Sequence, residues 1–111
     1  MKRCIAERDV EKTLIRQVGK GGGLCLKFIS PGWSGAPDRL CLWPGGRVMF
    51  AELKRPGGKM RPLQERRKKQ LEELGFEVVL IDSKGAAVEM AAAKAAAKAA
   101  AKAGGGAGAK T

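Results

Sequence analysis

The sequence predicts an α/β domain in which a sheet is flanked by helices, with the element order αβββαβα. Three stretches carry apolar or alanine residues at helical spacing, and four short apolar runs bounded by Gly, Pro or Ser are typical of strands. The length of 111 residues suits one compact domain with a core of modest volume.

The first helix is predicted over residues 6–18 and ends before Gly19, a natural C-cap. Its apolar stripe consists of Val10, Leu14, Ile15 and Val18. With about 100° between successive residues, Glu7 and Glu11 share the direction of this stripe, so both acids are expected to face inward. Glu7 lies in the first turn, where water reaches it more easily, and we therefore favour Glu11 as the buried acid.

Three predicted strands follow, over residues 24–30, 39–43 and 47–54. A turn-rich loop over residues 31–37 separates the first two, and Pro44-Gly45-Gly46 between the last two is the strongest hairpin signal in the chain. The last two runs carry apolar residues on alternate faces, which is typical of central strands covered on both sides.

A second helix is predicted to begin at Pro62 and to end at Gly75. Three leucines mark its inner face: Leu63, Leu71 and Leu74. Residues 77–81 then predict a fourth strand, and residues 86–103 predict an alanine-rich helix.

The composition divides the chain into a domain at residues 1–85 and an Ala/Gly/Lys-rich tail at residues 86–111, helical or disordered. The tail places Lys94, Lys98 and Lys102 at intervals of four residues, so they share one face of a helix. Such a face could contact DNA, but a solvated tail is the interpretation we favour.

The charge of the chain predicts a nucleic-acid partner. The formal net charge is +11, and the tail contributes four Lys and one Glu, so that 11 − 3 leaves +8 on the first 85 residues. Lys and Arg that neutralise phosphates release counterions and give affinity that does not depend on base sequence. A solubilising charge or a ribosomal-type structural protein is the alternative explanation.

Several kinds of chemistry are excluded by missing residues. Cys4, Cys25 and Cys41 lack Cys-x-x-Cys spacing and the chain has no His, so we predict reduced core thiols of a cytosolic protein and no zinc site. Because the chain has no His and no Tyr, it cannot use a histidine base or a tyrosine nucleophile. Its two Gly-Lys pairs, Gly19-Lys20 and Gly58-Lys59, do not belong to an ATP-binding P-loop. The charged N-terminus and the lack of a long apolar run predict a chain that is neither secreted nor membrane-spanning.

The length of the hairpin loop decides whether two acids meet. With a three-residue loop, Trp43 pairs with Arg47 and Asp38 lies opposite Glu52, with Cβ atoms about 5 Å apart. Two carboxylates at that distance repel unless a cation lies between them. A two-residue turn would pair Asp38 with Leu53 and place the Asp38 side chain on the other face.

The same face predicts a metal site. Lys54 lies two residues beyond Glu52 and projects in the same direction. With no His or Cys nearby, Asp38, Glu52 and the backbone carbonyl of Leu53 suit Mg²⁺ or Mn²⁺, with water completing the shell. The Lys54 ammonium could hold the attacking water and offset charge on a phosphate. A surface salt bridge is the alternative for each acid, but an unpartnered carboxylate beside apolar strand residues is costly.

These residues also resemble a known motif. Gly35-Ala36-Pro37-Asp38, followed after thirteen residues by Glu52-Leu53-Lys54, looks like the PD-(D/E)xK nuclease motif. With Glu11 in the first helix and Gln64 at the start of the second, the chain is similar to the VRR-NUC branch over about residues 5–85.

The resemblance implies a restriction-endonuclease-like core of order αβββαβ, with a mixed central sheet between helices. It implies Asp38 and Glu52 as metal ligands, Lys54 as the catalytic lysine, and Glu11 and Gln64 as residues that complete the site, Glu11 as a further ligand. Stand-alone relatives look like phage or bacterial homodimers that cut branched DNA, including four-way (Holliday) junctions, in the cytoplasm of a bacterium or infected host. A dimer is physically reasonable because a small domain reaches few phosphates alone.

Basic residues after the motif are expected to line the DNA approach: Lys59, Arg61, Arg66, Arg67, Lys68 and Lys69. A solvated helix face explains each of them equally well. Trp33 could stack on unpaired bases, but packing of its own loop is the interpretation we favour. The competing functions are a non-catalytic DNA-binding module, a ribosome- or nucleoid-associated structural protein, and a nuclease that nicks or trims other DNA.

Overall fold

The computed structural model describes the backbone of residues 6–103 and the side chains of residues 6–96. The elements are α1 (Glu7–Lys20), β1 (Leu24–Lys27), β2 (Arg39–Trp43), β3 (Arg47–Leu53), α2 (Pro62–Glu73), β4 (Glu77–Ile81) and α3 (Lys84–Ala103). This order confirms the predicted one. Within the described residues, no helix is long and apolar enough to cross a lipid bilayer.

The four strands form one mixed sheet in the order β1-β2-β3-β4. The pairs β1–β2 and β2–β3 are antiparallel, whereas β3–β4 is parallel. Parallel neighbours need a crossover connection, and α2 provides it. The mixed sheet that the resemblance implied is therefore present.

Helices lie on both faces of the sheet. Odd-numbered strand residues face α1 and α3 in a main core made of Val10, Leu14, Val18, Cys41, Trp43, Met49, Ala51, Leu53, Ile81 and Ala87. Even-numbered strand residues face α2 in a smaller cluster made of Phe50, Leu71 and Val78, with Phe28, Trp33 and Leu40 against it. The predicted motif at residues 35–54 is carried by the strands between these two clusters.

Helix α1 follows its predicted stripe but ends later than predicted. Ile15 is 40% exposed although the rest of the stripe is buried. The helix runs past Gly19 to Lys20 because the chain breaks only at Gly22, whose φ of 85° is the left-handed value that ends helices. Strand β1 is shorter than predicted, since the chain turns away after Phe28, with Trp33 N–H donating to the Ser30 carbonyl at 3.1 Å.

The predicted inner face of α2 is partly wrong. Leu71 is buried, but Leu74 is 73% exposed and Leu63 is also exposed. The helix ends at Glu73, so Leu74 closes the last turn through its backbone and its side chain points to solvent. Gln64 takes a buried position instead.

Helix α3 begins earlier than predicted, because the Ser83 hydroxyl accepts a hydrogen bond from the Ala86 N–H at 3.0 Å and caps it. The predicted domain boundary at residue 85 therefore falls inside a helix. Ala87 and Ala91 are buried, and Ala87 belongs to the main core beside α1. Lys94 forms an ion pair with Glu77; the side chains of Lys98 and Lys102 lie outside the described residues.

Cys41 is a core thiol, as predicted, whereas Cys25 is only partly buried against the same core. Cys25 and Cys41 pair across β1 and β2 with 3.9 Å between their Sγ atoms, and both are free thiols. Cys41 is fully buried. Cys4 lies outside the described residues.

Substituting Ala91 tests the docking of α3. We expect Ala91→Glu to lower the free energy of unfolding by at least about 2 kcal/mol, because it buries a carboxylate. Ala92→Glu, on the exposed side of the same helix, is the matched control and should change it by less than about 0.5 kcal/mol. Urea titrations measure both, and equal small effects would show that the helix is not docked.

Candidate active site

The hairpin has the three-residue loop on which the site prediction depended. Trp43 pairs with Arg47, which confirms the predicted register and excludes the two-residue turn. Arg39 pairs with Ala51 at the end of the β2–β3 ladder. The next residue on each strand is Asp38 and Glu52, so these two acids lie alongside each other.

Asp38 is fixed by backbone groups on both sides. Its carbonyl accepts a hydrogen bond from the Phe28 N–H at 2.9 Å, at the end of β1. Its carboxylate Oδ2 accepts one from the Leu53 N–H at 2.9 Å, in the motif strand β3. The first acid of the motif is therefore anchored to the strand that carries the second.

The Glu52 carboxylate is buried, and its two oxygens have different surroundings. The residue is 1% exposed. Oε2 accepts a hydrogen bond from Gln64 Nε2 at 2.6 Å and lies 3.6 Å from Lys54 Nζ. Oε1 is buried and has no hydrogen-bond partner within the described part of the chain. Two of the predicted residues, Gln64 and Lys54, therefore converge on this carboxylate, and one of its oxygens is left unsatisfied.

The Gln64 amide is oriented by the start of α2. Its Oε1 accepts a hydrogen bond from the Arg61 N–H at 2.8 Å, in a capping-box arrangement. Because the oxygen is bound there, the amide nitrogen must point to Glu52. The helix N-terminus thus fixes a donor on the predicted metal ligand.

Burial and the nearby negative charge of Asp38 raise the pKa of Glu52 from its ordinary value of 4.5 to about 7, while Lys54 acts in the opposite direction. Glu7 on α1 adds a smaller increase. A carboxylate that resists ionisation in a pocket with a second acid is a site where a cation would be favoured.

The two acids of α1 are placed differently from each other. Glu11 Oε2 accepts hydrogen bonds from Arg39 Nε at 3.0 Å and from Arg39 Nη2 at 2.5 Å. Arg39 also donates to the Cys25 carbonyl at 3.2 Å. Glu7 is exposed and is the α1 acid whose charge acts on Glu52. The Glu11–Arg39 pair was missed from the sequence, because an arginine within a predicted strand does not reveal its partner 28 residues away.

A cleft of about 310 Å³ joins the helix acids to the motif. It is lined by Glu7, Arg8, Glu11, Lys27, Phe28, Asp38 and Leu53. Glu11 thus borders the same cleft as Asp38 although it is held by Arg39.

The donor set fits a hard divalent cation bound with few protein ligands. Across residues 6–96, no group of three or more Asp, Glu, Cys or His side chains converges on one point. Mg²⁺ is commonly held by one or two carboxylates, with waters and substrate phosphates completing its octahedron. Asp38, Glu52 with its unsatisfied oxygen, and the Leu53 carbonyl match that pattern.

The predicted DNA-binding residues fall into two groups. Lys59, Arg61, Arg66 and Lys69 are exposed, and their side chains make no hydrogen bond or ion pair with the described residues. Lys68 is paired with Glu72 at 2.8 Å. Arg67 donates to the Ser34 carbonyl at 2.7 Å and lies 4.8 Å from the centre of the Trp33 ring. Trp33 is partly buried against the smaller cluster, so it packs its own loop as favoured above.

Comparison with known proteins places the chain in a family. No protein-family model matches the sequence. The chain is 45% identical over 82 residues to "Putative nuclease p44" of Acyrthosiphon pisum secondary endosymbiont phage 1, an alignment that covers 74% of this chain and 88% of the relative. A solved structure described as a VRR_NUC domain is similar with a TM-score of 0.71 and 30% identity, over 76% of this chain and 91% of that one. The chain belongs to the VRR-NUC nuclease family.

In this VRR-NUC domain, four of the five predicted site residues lie together, and the fifth, Glu11, lies apart from them. Asp38, Glu52, Lys54 and Gln64 lie together at one end of β3. Glu11 borders the shared cleft but faces Arg39, and its role as a ligand stays a prediction.

Substituting Glu52 by Gln tests its raised pKa. Since the folded pKa lies above the unfolded value, stability due to neutral Glu52 is present below about pH 4.5 and is lost as the pH rises to about 7. Glu52→Gln stays neutral and keeps an acceptor for Gln64. We expect its unfolding free energy in EDTA to match wild type at about pH 4 and to exceed it by roughly 3 kcal/mol at about pH 8. A difference that does not change with pH would show that Glu52 ionises normally.

Proposed function

We propose that this VRR-NUC protein is a divalent-metal-dependent DNA endonuclease that hydrolyses phosphodiester bonds at branched DNA, such as four-way junctions, as a homodimer. The observation that carries the proposal is that Asp38 and Lys54 lie beside the buried carboxylate of Glu52, whose Oε1 has no hydrogen-bond partner among the described residues. Membership of a nuclease family supports hydrolysis of nucleic acid, and the net charge of +11 supports a polyanionic substrate.

Each residue would have a defined task in this reaction. Asp38, Glu52 and the Leu53 carbonyl would hold Mg²⁺ or Mn²⁺, which when bound polarises a phosphate oxygen and lowers the pKa of water. Lys54 Nζ, 3.6 Å from Glu52 Oε2, would hold the attacking water and offset charge developing on the phosphate. Gln64 would keep Glu52 oriented through its 2.6 Å hydrogen bond.

The two acids of α1 would act from across the cleft. The Oε2 of Glu11 accepts both Arg39 bonds, so a cation in the cleft would be reached by its Oε1. Glu7, one turn earlier on the same helix, is a second acid within range of Glu52. We keep Glu11 as the proposed further ligand because it lines the cleft beside Asp38 and is partly buried.

DNA would approach over the exposed basic residues of α2 and the preceding loop, namely Lys59, Arg61, Arg66 and Lys69. Two symmetric sites in a homodimer could cut two strands of a four-way junction. The phage origin of the p44 relative and the free thiols of the sheet support activity in the cytoplasm of a bacterium or an infected host.

Three single substitutions test the catalytic assignment. We expect Asp38→Ala, Glu52→Ala and Lys54→Ala each to lower the cleavage rate by about a thousandfold or more, because each removes a metal ligand or the amine. Labelled four-way junction, flap and duplex DNA would be incubated with Mg²⁺, with Mn²⁺ and with EDTA. Band shifts in EDTA should show that all three variants still bind DNA.

The same assay separates the alternatives. Symmetric metal-dependent cuts in the junction alone support a dimeric junction nuclease, whereas cuts in flap or duplex indicate a nuclease for other DNA structures. Binding without any cleavage would favour a non-catalytic DNA-binding module. Retained cleavage in one variant would contradict the role assigned to that residue.

A further inference from the structure

The loop that leads into Asp38 is fastened to α2 by Arg67. Its Nε donates to the Ser34 carbonyl at 2.7 Å, and the guanidinium lies 4.8 Å from the centre of the Trp33 ring. Its Nη1 donates to Gln70 Oε1 at 2.8 Å, which holds the Arg67 side chain along its own helix. A stacked guanidinium with two directed bonds is a defined structural contact.

The loop also approaches the helix too closely for most residues. Gly35 has a φ of 85°, and a Cβ added there would lie 2.8 Å from Leu63 Cγ and 3.3 Å from Arg67 Cγ. Only glycine fits this contact without moving the loop or the helix. The absence of a side chain at Gly35 is therefore what allows the loop to lie this close to α2.

The fastened segment is short and ends at the site. Pro37 is buried, so the chain between Gly35 and Asp38 has little freedom. The same helix carries Gln64, which holds Glu52. The two predicted metal ligands thus depend on α2 from two sides, one through the loop and one through Gln64.

We infer that Arg67 is a positioning residue for the metal site, acting through the Trp33–Gly35 loop and Gln64, and is not a phosphate contact as its sequence context suggested. This inference rests on the proposed function. Two of the three guanidinium nitrogens already donate within the protein. Its neighbour Arg66 is exposed and makes no such contact, which makes Arg66 a matched control.

The test compares metal affinity with DNA affinity in the full-length chain. Mn²⁺ binding without DNA is measured by calorimetry, and the salt dependence of junction binding is measured in EDTA. We expect Arg67→Ala to weaken Mn²⁺ binding about tenfold and to leave the slope of log affinity against log salt unchanged. Steady-state cleavage should show a lower kcat with KM within about twofold.

The control should give the opposite pattern. Arg66→Ala should lower the salt slope by about one and leave Mn²⁺ affinity unchanged. Gly35→Ala keeps every charge but pushes the loop from α2, so it should reproduce the loss of Mn²⁺ affinity seen with Arg67→Ala. If Arg67→Ala does not fold, Gly35→Ala and Arg67→Lys, which keeps the charge without the planar fork, decide the question.

The outcomes are distinct. The inference would be overturned if Arg67→Ala and Gly35→Ala both bind Mn²⁺ with wild-type affinity and Arg67→Ala lowers the salt slope as Arg66→Ala does. The proposed function would still stand in that case. A wild-type chain that neither binds Mn²⁺ nor cleaves DNA would overturn the proposed function and this inference with it.

Discussion

The pairing register of β2 with β3 is the constraint on which both the core and the site depend. Because side chains alternate along a strand, a slip of one residue would turn one strand of the hairpin over relative to the other. Either Cys41 or Met49 would then leave the core beneath α1, and Asp38 would no longer lie alongside Glu52. Packing of the core therefore selects the register that assembles the site.

The buried carboxylate makes the site costly for the folded protein. Glu52 has one oxygen bound by Gln64 and one without a partner, beside a second acid. Burying such a group destabilises the fold unless it is neutral or paired, which its raised pKa reflects. Groups with strongly shifted pKa values are concentrated at functional sites, and favourable contacts elsewhere in the fold must compensate for their cost.

The fold and part of the site could be predicted because their signals are local. Element order follows from periodicity, and Pro44-Gly45-Gly46 locates the hairpin, whereas the choice between a three-residue loop and a two-residue turn is decided by the structure. Contacts between distant segments could not be predicted: the Glu11–Arg39 pair and the Arg67 bond to Ser34 join residues 28 and 33 positions apart. The exposure of Leu74 was mistaken because a helix projection does not show where the helix ends.

Helix α2 is joined to the sheet as much by polar contacts as by apolar burial. Among the described residues it buries Leu71 and Gln64, and Gln64 reaches the sheet only through Glu52. A hydrogen bond to a charged group contributes about 1.5–3 kcal/mol, similar to burial of one leucine. Ionising Glu52 strengthens that bond, so the docking of α2 and the charge of Glu52 are linked. By the same linkage, a cation that ionises Glu52 would strengthen the docking of α2, the helix whose exposed Arg66 we propose as a DNA contact.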